Sequence, residues 1–364
     1  WTRGLVVAGG AANGVGAALL WTAQGRYLLD AAASDSKRGA GAHFAVFWAL
    51  FNASAVFGGI ATFFYFSNSS SSGNAALFAG FTALILLGAT LTAGLPNLAT
   101  TDNDGAPNGR ERTATDPVEV VVVEDSSWSQ SVGAECRAMV RTATTRKAVA
   151  LAPLFWYTGF SQPYKLNGFG DRAFRERIVG LELAGFYAAQ VAAGLAAAEI
   201  LESTTKRRGA VQTLRLFAAL SVVSYVLGFG VEGVSLPGAT KLSIESLHPT
   251  GARIAVATAA FALWGFADSL AQAYCYWLID ALWDQTGPER ARAVALYKFV
   301  QSAGWSVGFA ILPPERGCSY LAQLAFVAGS CAVGVFGALL ALPAKQLRDP
   351  VPVTTASPLL ASAA

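Results

Sequence analysis

Charged residues are scarce in this sequence. Asp, Glu, Lys and Arg make up 13% of its 364 residues, whereas hydrophobic residues make up 54%. Soluble domains carry a charged fraction of roughly 25%, about twice as large. The net charge of +3 is also too small to indicate a surface that binds nucleic acid. The composition therefore indicates a helical membrane protein, whose first partner is the lipid bilayer.

Residues that hold metals or carry out catalysis are also few. The chain has two histidines, His43 and His248, which lie far apart, and four cysteines that form no CxxC pair. A structural zinc site needs closely spaced pairs of such ligands. The sequence contains no G-x-S-x-G, P-loop or H-E-x-x-H motif either. We therefore expect that the protein is not an enzyme and that it has no metal site and no cofactor.

Long apolar runs dominate what is present. A membrane-spanning helix needs about 20 mostly apolar residues. The pattern therefore predicts an all-α, polytopic membrane protein with about nine transmembrane helices. The predicted spans are Leu5–Gln24, Phe44–Phe66, Ala75–Leu95, Ala148–Leu166, Ile178–Ile200, Val211–Val231, Ile254–Leu282, Ala291–Leu312 and Tyr320–Leu342.

One long polar stretch divides the chain. Asn97–Lys147 is rich in Asp, Asn, Thr and Glu at first and ends in a basic, amphipathic segment. We therefore predict four parts in chain order. They are a partial N-terminal helical bundle at 1–96, a cytoplasmic central loop at 97–147, a C-terminal six-helix bundle at 148–343 and a cytoplasmic, disordered tail at 344–364.

The distribution of Lys and Arg predicts the orientation of the chain. Connections on one side of the predicted spans carry about fifteen of these residues, and those on the other side carry about eight, Lys165 among them. Because cytoplasmic connections hold the excess, the first residue is predicted to lie outside and the C-terminus in the cytoplasm. The span lengths fit the plasma membrane and an endomembrane equally well.

Two neighbouring predicted spans carry ionisable groups at membrane depth, Asp268 in one and Lys298 in the other. Such groups are costly in lipid and are rarely kept without a use. A rise of 1.5 Å per residue puts Gln272 and Gln301 level, about 15 Å from the cytoplasmic surface. The same count offsets the two charges by about 10 Å, which disfavours a direct ion pair.

Helical spacing places these polar side chains on stripes that must face the bundle interior. Two interpretations stay open: a path for a ligand or ion, or a buried polar lock that holds helices together. The path would be lined by Asp268, Gln272, Tyr276, Lys298 and Gln301. Secondary candidates are Gln24, Tyr27, Trp48, Asn52 and Gln162.

Several passages resemble the Unc-93-like family, a branch of the major facilitator superfamily. WTAQG within Gly14–Tyr27 and FWALF within Phe47–Ser54 form the most specific pair. The other passages that are similar to this family are Pro153–Gln162, Trp264–Ile279 and Tyr297–Gly304.

The resemblance implies a major facilitator-type helical bundle of twelve helices, of which this chain would hold the last nine. Animal members of the family include a regulatory subunit of a potassium channel and a trafficking chaperone for Toll-like receptors, and plant members are tied to potassium homeostasis. Two functions follow as hypotheses. One is a transmembrane transporter or potassium homeostasis protein, whose solute is not identified. The other is a non-transporting accessory subunit or chaperone, whose partner would be a channel or receptor subunit.

Overall fold

The computed structural model describes residues 2–34, 40–68, 75–92, 94, 125–174, 176–202, 206–233, 252–283, 288–312 and 318–342. All regular elements in these ranges are helical. The α-helices are α1 (Thr2–Ser34), α2 (Ala40–Asn68), α3 (Ala75–Thr92), α4 (Asp125–Ala143), α5 (Arg146–Pro163), α6 (Asp171–Ala173), α7 (Glu176–Glu202), α8 (Lys206–Gly233), α9 (Ala252–Leu282), α10 (Glu289–Ile311) and α11 (Tyr320–Ala341), and a π-helical segment, Tyr164–Gly170, joins α5 to α6.

Five of these helices are long and apolar enough to cross a membrane. Their apolar stretches are Val46–Tyr65, Ile178–Leu201, Arg207–Gly233, Ile254–Leu282 and Tyr320–Ala341. These findings confirm an all-α, polytopic, integral membrane protein.

The other four predicted spans are helices too, but they are shorter or more polar. Leu77–Thr92 within α3 is apolar and short. Helix α10 begins with Glu289, Arg290 and Arg292 and carries Lys298 farther along. The total of nine spans and the major facilitator arrangement therefore stay predictions.

Helices α5, α7, α8, α9, α10 and α11 pack against one another. Helix α5 lies between α10 and α11, and α9 packs against both α7 and α8. Helix α2 runs along α7, where Gly59 and Gly180 bring the two backbones together: a Cβ added at either position would lie 2.6 Å from the other residue's carbonyl oxygen. In lipid, no hydrophobic effect drives helices together. Small residues favour helix association there because they allow the backbones to approach this closely.

The amphipathic segment predicted at the end of the central loop is helix α4. Glu135 on α4 accepts two hydrogen bonds from the Arg292 guanidinium of α10, at 2.6 and 2.7 Å. This bidentate pair ties α4 to the start of α10. Residues 97–124 of the predicted central loop and the predicted tail at 344–364 lie outside the described residues, so the predicted parts of the chain stay predictions.

Candidate functional site

Asp268 is the carboxylate of the predicted path. It lies on α9 with none of its surface exposed. Its Oδ2 atom accepts hydrogen bonds from Gln272 Nε2 at 2.8 Å and from Gln190 Nε2 of α7 at 3.2 Å. The other carboxylate oxygen, Oδ1, has no hydrogen-bond partner in the described part of the chain. A carboxylate stripped of water is thus held by side-chain amides.

Two glutamines connect this carboxylate to Lys298. Gln301 Nε2 lies 3.4 Å from Gln272 Oε1, so the two side chains meet at the same depth as predicted. Gln301 Oε1 in turn accepts a hydrogen bond of 2.9 Å from Lys298 Nζ. The chain of contacts runs from Asp268 through two amides to the ammonium, and among the described ion pairs none joins Asp268 to Lys298 directly. The predicted offset of the two charges explains this separation.

Helix α5 fixes the position of Gln301. Its Nε2 atom is 3.1 Å from Thr158 Oγ1 of α5 and 3.3 Å from Tyr297 Oη. Gly159, next to Thr158, has no side chain, and a Cβ there would lie 1.8 Å from the Gln301 carbonyl oxygen. Gly304 and Gly308 extend the same close contact toward the other end of α10. These three glycines therefore set the distance between α5 and α10, and with it the position of Gln301.

Four aromatic rings surround the Lys298 ammonium, and we call them the aromatic box. Nζ lies 5.2 Å from the ring centroid of Trp21, 5.4 Å from Trp48, 5.3 Å from Tyr276 and 4.9 Å from Tyr297. Trp21 belongs to α1 and Trp48 to α2, and their rings stack at a centroid distance of 5.7 Å. Cations are attracted to the faces of such rings. The box therefore brings together helices that precede and follow the central polar stretch.

One cation is fully buried at a position where the sequence pattern did not predict it. Lys165, which the orientation count places in an outer connection, is fully buried in the π-helical segment. Its Nζ donates to Tyr157 Oη at 3.3 Å, and Tyr157 Oη shares a 2.8 Å hydrogen bond with Tyr225 Oη of α8. Lys165 is one turn beyond Gln162 and two turns beyond Tyr157, and that spacing on a polar helix face was the signal that could have revealed it.

Some of the other predicted residues lie at the site and others do not. Gln162 is buried and close enough to the Asp268 carboxylate to interact with it. Trp48 belongs to the aromatic box, and Asn52 is buried one turn farther along α2. The Gln24 side chain has amide atoms that are buried and without a partner in the described ranges. Tyr27 is half-buried on α1, outside the hydrogen bonds and ring contacts described above.

A separate ion pair connects other helices of the bundle. Tyr164 Oη donates to Glu232 Oε1 of α8 at 2.7 Å, and Arg172 forms an ion pair with the same oxygen. The Arg172 guanidinium also lies 3.5 Å from the ring centroid of Tyr320, at the start of α11. Because this cluster contains one cation and one anion, it balances its own charge and ties the end of α5 to α8 and α11.

Comparison with known proteins places these residues in a family. Residues 4–314 match the family described as "Ion channel regulatory protein UNC-93". UNC93-like protein 1 and UNC93-like protein 2 of Arabidopsis thaliana are each 27% identical over 319 residues, which is 85% of this chain and 64% of theirs. UNC93-like protein C922.05c of Schizosaccharomyces pombe is 25% identical over 320 residues, 85% of this chain and 58% of its own. No solved structure matches the chain significantly.

The chain therefore spans about two thirds of the length of these curated relatives, 64% of the two from Arabidopsis thaliana. The matched region contains every residue of the candidate path and of the aromatic box. The resemblance drawn from the short motifs is confirmed by a match over most of the sequence. This integral membrane protein belongs to the UNC-93 family.

Proposed function

We propose that the full-length protein carries a small solute or ion across the membrane along the path from Asp268 to Lys298. The observation that carries this proposal is the continuous contact between the fully buried Asp268 and the half-buried Lys298 through Gln272 and Gln301. Ionisable groups on membrane-crossing helices are costly and mark solute or proton paths more often than they mark plain packing.

The location of the aromatic box supports the same function. Trp21 and Trp48 reach Lys298 from α1 and α2, while Tyr276 and Tyr297 reach it from α9 and α10. Transporters built from two helical halves bind substrate between the halves, and one half then rocks against the other. A cation held by side chains from both parts of the chain is suited to such a movement, since separating the parts changes its surroundings.

Flux into proteoliposomes tests the proposal on the full-length protein. We expect uptake of at least one of potassium, chloride and acetate above that of protein-free vesicles. Lys298→Gln and Asp268→Asn should each reduce this uptake at least tenfold while the amount of folded protein stays the same. Arg207→Gln, at an exposed position on α8, is the matched control. Uptake by both path variants equal to that of the unaltered protein would contradict the proposal.

A second candidate function is regulation of an ion channel by direct association. The description of the matched family favours it, since it names an ion channel regulatory protein. Purification of the full-length protein in a mild detergent from its native membranes would then yield a channel subunit in near-equal amount. Channel currents would change on co-expression, and Lys298→Gln would leave that change intact unless it lowers the amount of folded protein. A protein that purifies alone and has no effect on currents would contradict this candidate.

A further inference from the structure

The Lys298 ammonium has more hydrogen-bond donors than described acceptors. An ammonium carries three N–H donors. One of them is used by Gln301 Oε1 at 2.9 Å, and among the described ion pairs none includes Lys298. The described hydrogen bonds include none from this ammonium to the Tyr276 or Tyr297 hydroxyl of the aromatic box. Two N–H donors of this half-buried cation are therefore without an acceptor among the described side chains.

Two further donors lie beside the ammonium. Trp48 Nε1 and Tyr276 Oη are buried atoms without a hydrogen-bond partner in the described part of the chain. Their residues are only 8% and 3% exposed, and their ring centroids lie 5.4 and 5.3 Å from Lys298 Nζ. A buried donor left unpaired is expensive, so donors of this kind normally have an acceptor. The ammonium therefore lies over both of the rings that carry these unpaired donors.

The charges of the surrounding network are also out of balance. Lys165 and Lys298 contribute two ammonium groups, whereas Asp268 contributes one carboxylate. The Arg172–Glu232 pair and the Arg290–Asp280 pair are each balanced within themselves. Asp268 is occupied by the amides of Gln190 and Gln272 and is separated from Lys298 by two glutamines. Among the described side chains, one positive charge is therefore in excess at the Lys298 end, where partial burial makes it costly.

We propose that Lys298, Trp48 and Tyr276 bind a small monovalent anion, either an inorganic ion or the carboxylate of a small organic acid. One negative charge offsets the excess positive charge and accepts hydrogen bonds from these three side chains. A bare cation is disfavoured at the same point, since the ammonium already occupies the aromatic box and would repel it. This inference rests on the proposed function in that it names the class of solute for the same path.

Binding is measured separately from transport. Purified full-length protein is held in sodium isethionate, whose anion is a sulfonate and not a carboxylate, at constant ionic strength, and chloride, nitrate or acetate replaces isethionate stepwise while intrinsic tryptophan fluorescence follows thermal unfolding. We expect a saturable rise in the unfolding midpoint with at least one of the three anions. Chloride or nitrate alone would identify an inorganic ion as the ligand, and acetate alone would identify a carboxylate. The proposal would be overturned if the unfolding midpoint showed no saturable rise with any of the three anions.

Three variants connect the effect to the site. Lys298→Gln removes the charge and should abolish the saturable rise, whereas Lys298→Arg keeps the charge and should retain it. Tyr276→Phe removes only the hydroxyl and should weaken the apparent affinity about tenfold, which is the loss expected for one hydrogen bond to a charged ligand. This variant serves the test even where Lys298→Gln does not fold. The control Arg207→Gln should behave like the unaltered protein.

The results separate this inference from the proposed function. A saturable anion effect without uptake into proteoliposomes keeps the anion site and contradicts transport. Uptake of potassium that requires Lys298, together with no saturable anion effect, keeps transport and overturns the anion site. Full retention of the anion effect in both Lys298→Gln and Tyr276→Phe also overturns it.

Discussion

Gly159 of α5 and Gln301 of α10 are in backbone contact. A Cβ at position 159 would lie 1.8 Å from the Gln301 carbonyl oxygen and 2.9 Å from the Trp305 ring. Because no side chain fits, α5 and α10 approach as closely as their backbones permit. That approach places Gln301 within hydrogen-bond reach of Thr158 and of Gln272 at the same time.

The first prediction concerns this contact. Gly159→Ala must push α10 away from α5, and we expect a loss of about 1–3 kcal/mol in stability, as for other overpacked helix contacts. The thermal unfolding midpoint of the full-length protein in detergent measures the loss. Gly185→Ala, where a Cβ meets no atom within 4 Å, is the matched control and should leave the midpoint unchanged or raise it slightly. Equal midpoints for the two variants would show that the contact is not tight.

The second prediction concerns Gln301 as the link between the two charges. Gln301→Leu removes the described acceptor of Lys298 and the amide that meets Gln272. Leaving these buried groups unpaired should lower stability by about 1–3 kcal/mol. Ser302→Ala, at the exposed neighbouring position, should change stability by less than about 0.5 kcal/mol. A Gln301→Leu variant with an unchanged midpoint would mean that the contacts between the glutamines contribute nothing to folding.

The third prediction concerns Lys165. Its ammonium is fully buried, and its one described hydrogen bond is the 3.3 Å contact to Tyr157 Oη. The fully buried Asp268 carboxylate interacts with this ammonium, and removing one of two interacting buried charges leaves the other uncompensated. We therefore expect Lys165→Met to lower the free energy of unfolding by about 3–5 kcal/mol, and Lys165→Glu to reduce the amount of folded protein further. An unfolding midpoint of Lys165→Met equal to that of the unaltered protein would contradict this expectation.

If Lys165→Met folds normally, its effect on uptake shows what the residue is for. A loss of uptake by a stable variant would assign Lys165 to the path, because packing alone could not explain it. Unchanged uptake would leave it as a structural group next to the Tyr157–Tyr225 pair.

The fourth prediction concerns pH and the attachment of α4 to α10. The hydrogen bonds from Arg292 lower the pKa of Glu135 below its ordinary value. A carboxylate with a lowered pKa contributes stability that is complete above its unfolded pKa, about 4.3 for Glu, and that is lost as the pH falls through the folded value. We therefore expect the attachment of α4 to α10 to weaken as the pH falls below about 4.3. Because Glu135 is exposed, salt should weaken the attachment as well.

Limited proteolysis with an acid-tolerant protease measures this weakening in the full-length protein. Cleavage within α4 should increase as the pH is lowered and as salt is added. Glu135→Gln should be cleaved readily at every pH, with little dependence on salt. Cleavage that is equally slow in Glu135→Gln and in the unaltered protein would show that other contacts hold α4 in place.

Some features of the site could be read from the sequence because they depend on position along one helix. The common depth of Gln272 and Gln301 followed from the helical rise, and the structure confirms it with a contact of 3.4 Å. The separation of Asp268 from Lys298 followed from the same count. The place of Lys165 could not be obtained in this way. A lysine at the end of an apolar run is normally taken to reach water, and only the packing of the π-helical segment against α9 and α11 removes water from it.

The sequence by itself determined that this is a helical membrane protein of the UNC-93 family, where the main helices lie and which polar residues share a depth. Those properties depend on local hydrophobicity, on helical rise and on short motifs. The tertiary structure decided which side chains meet: that Trp21 and Trp48 surround Lys298, that Gln190 reaches Asp268, and that Gly159 admits Gln301. These contacts depend on how each helix is rotated and how closely it approaches its neighbours, and those quantities are set by packing between residues that are far apart in the chain.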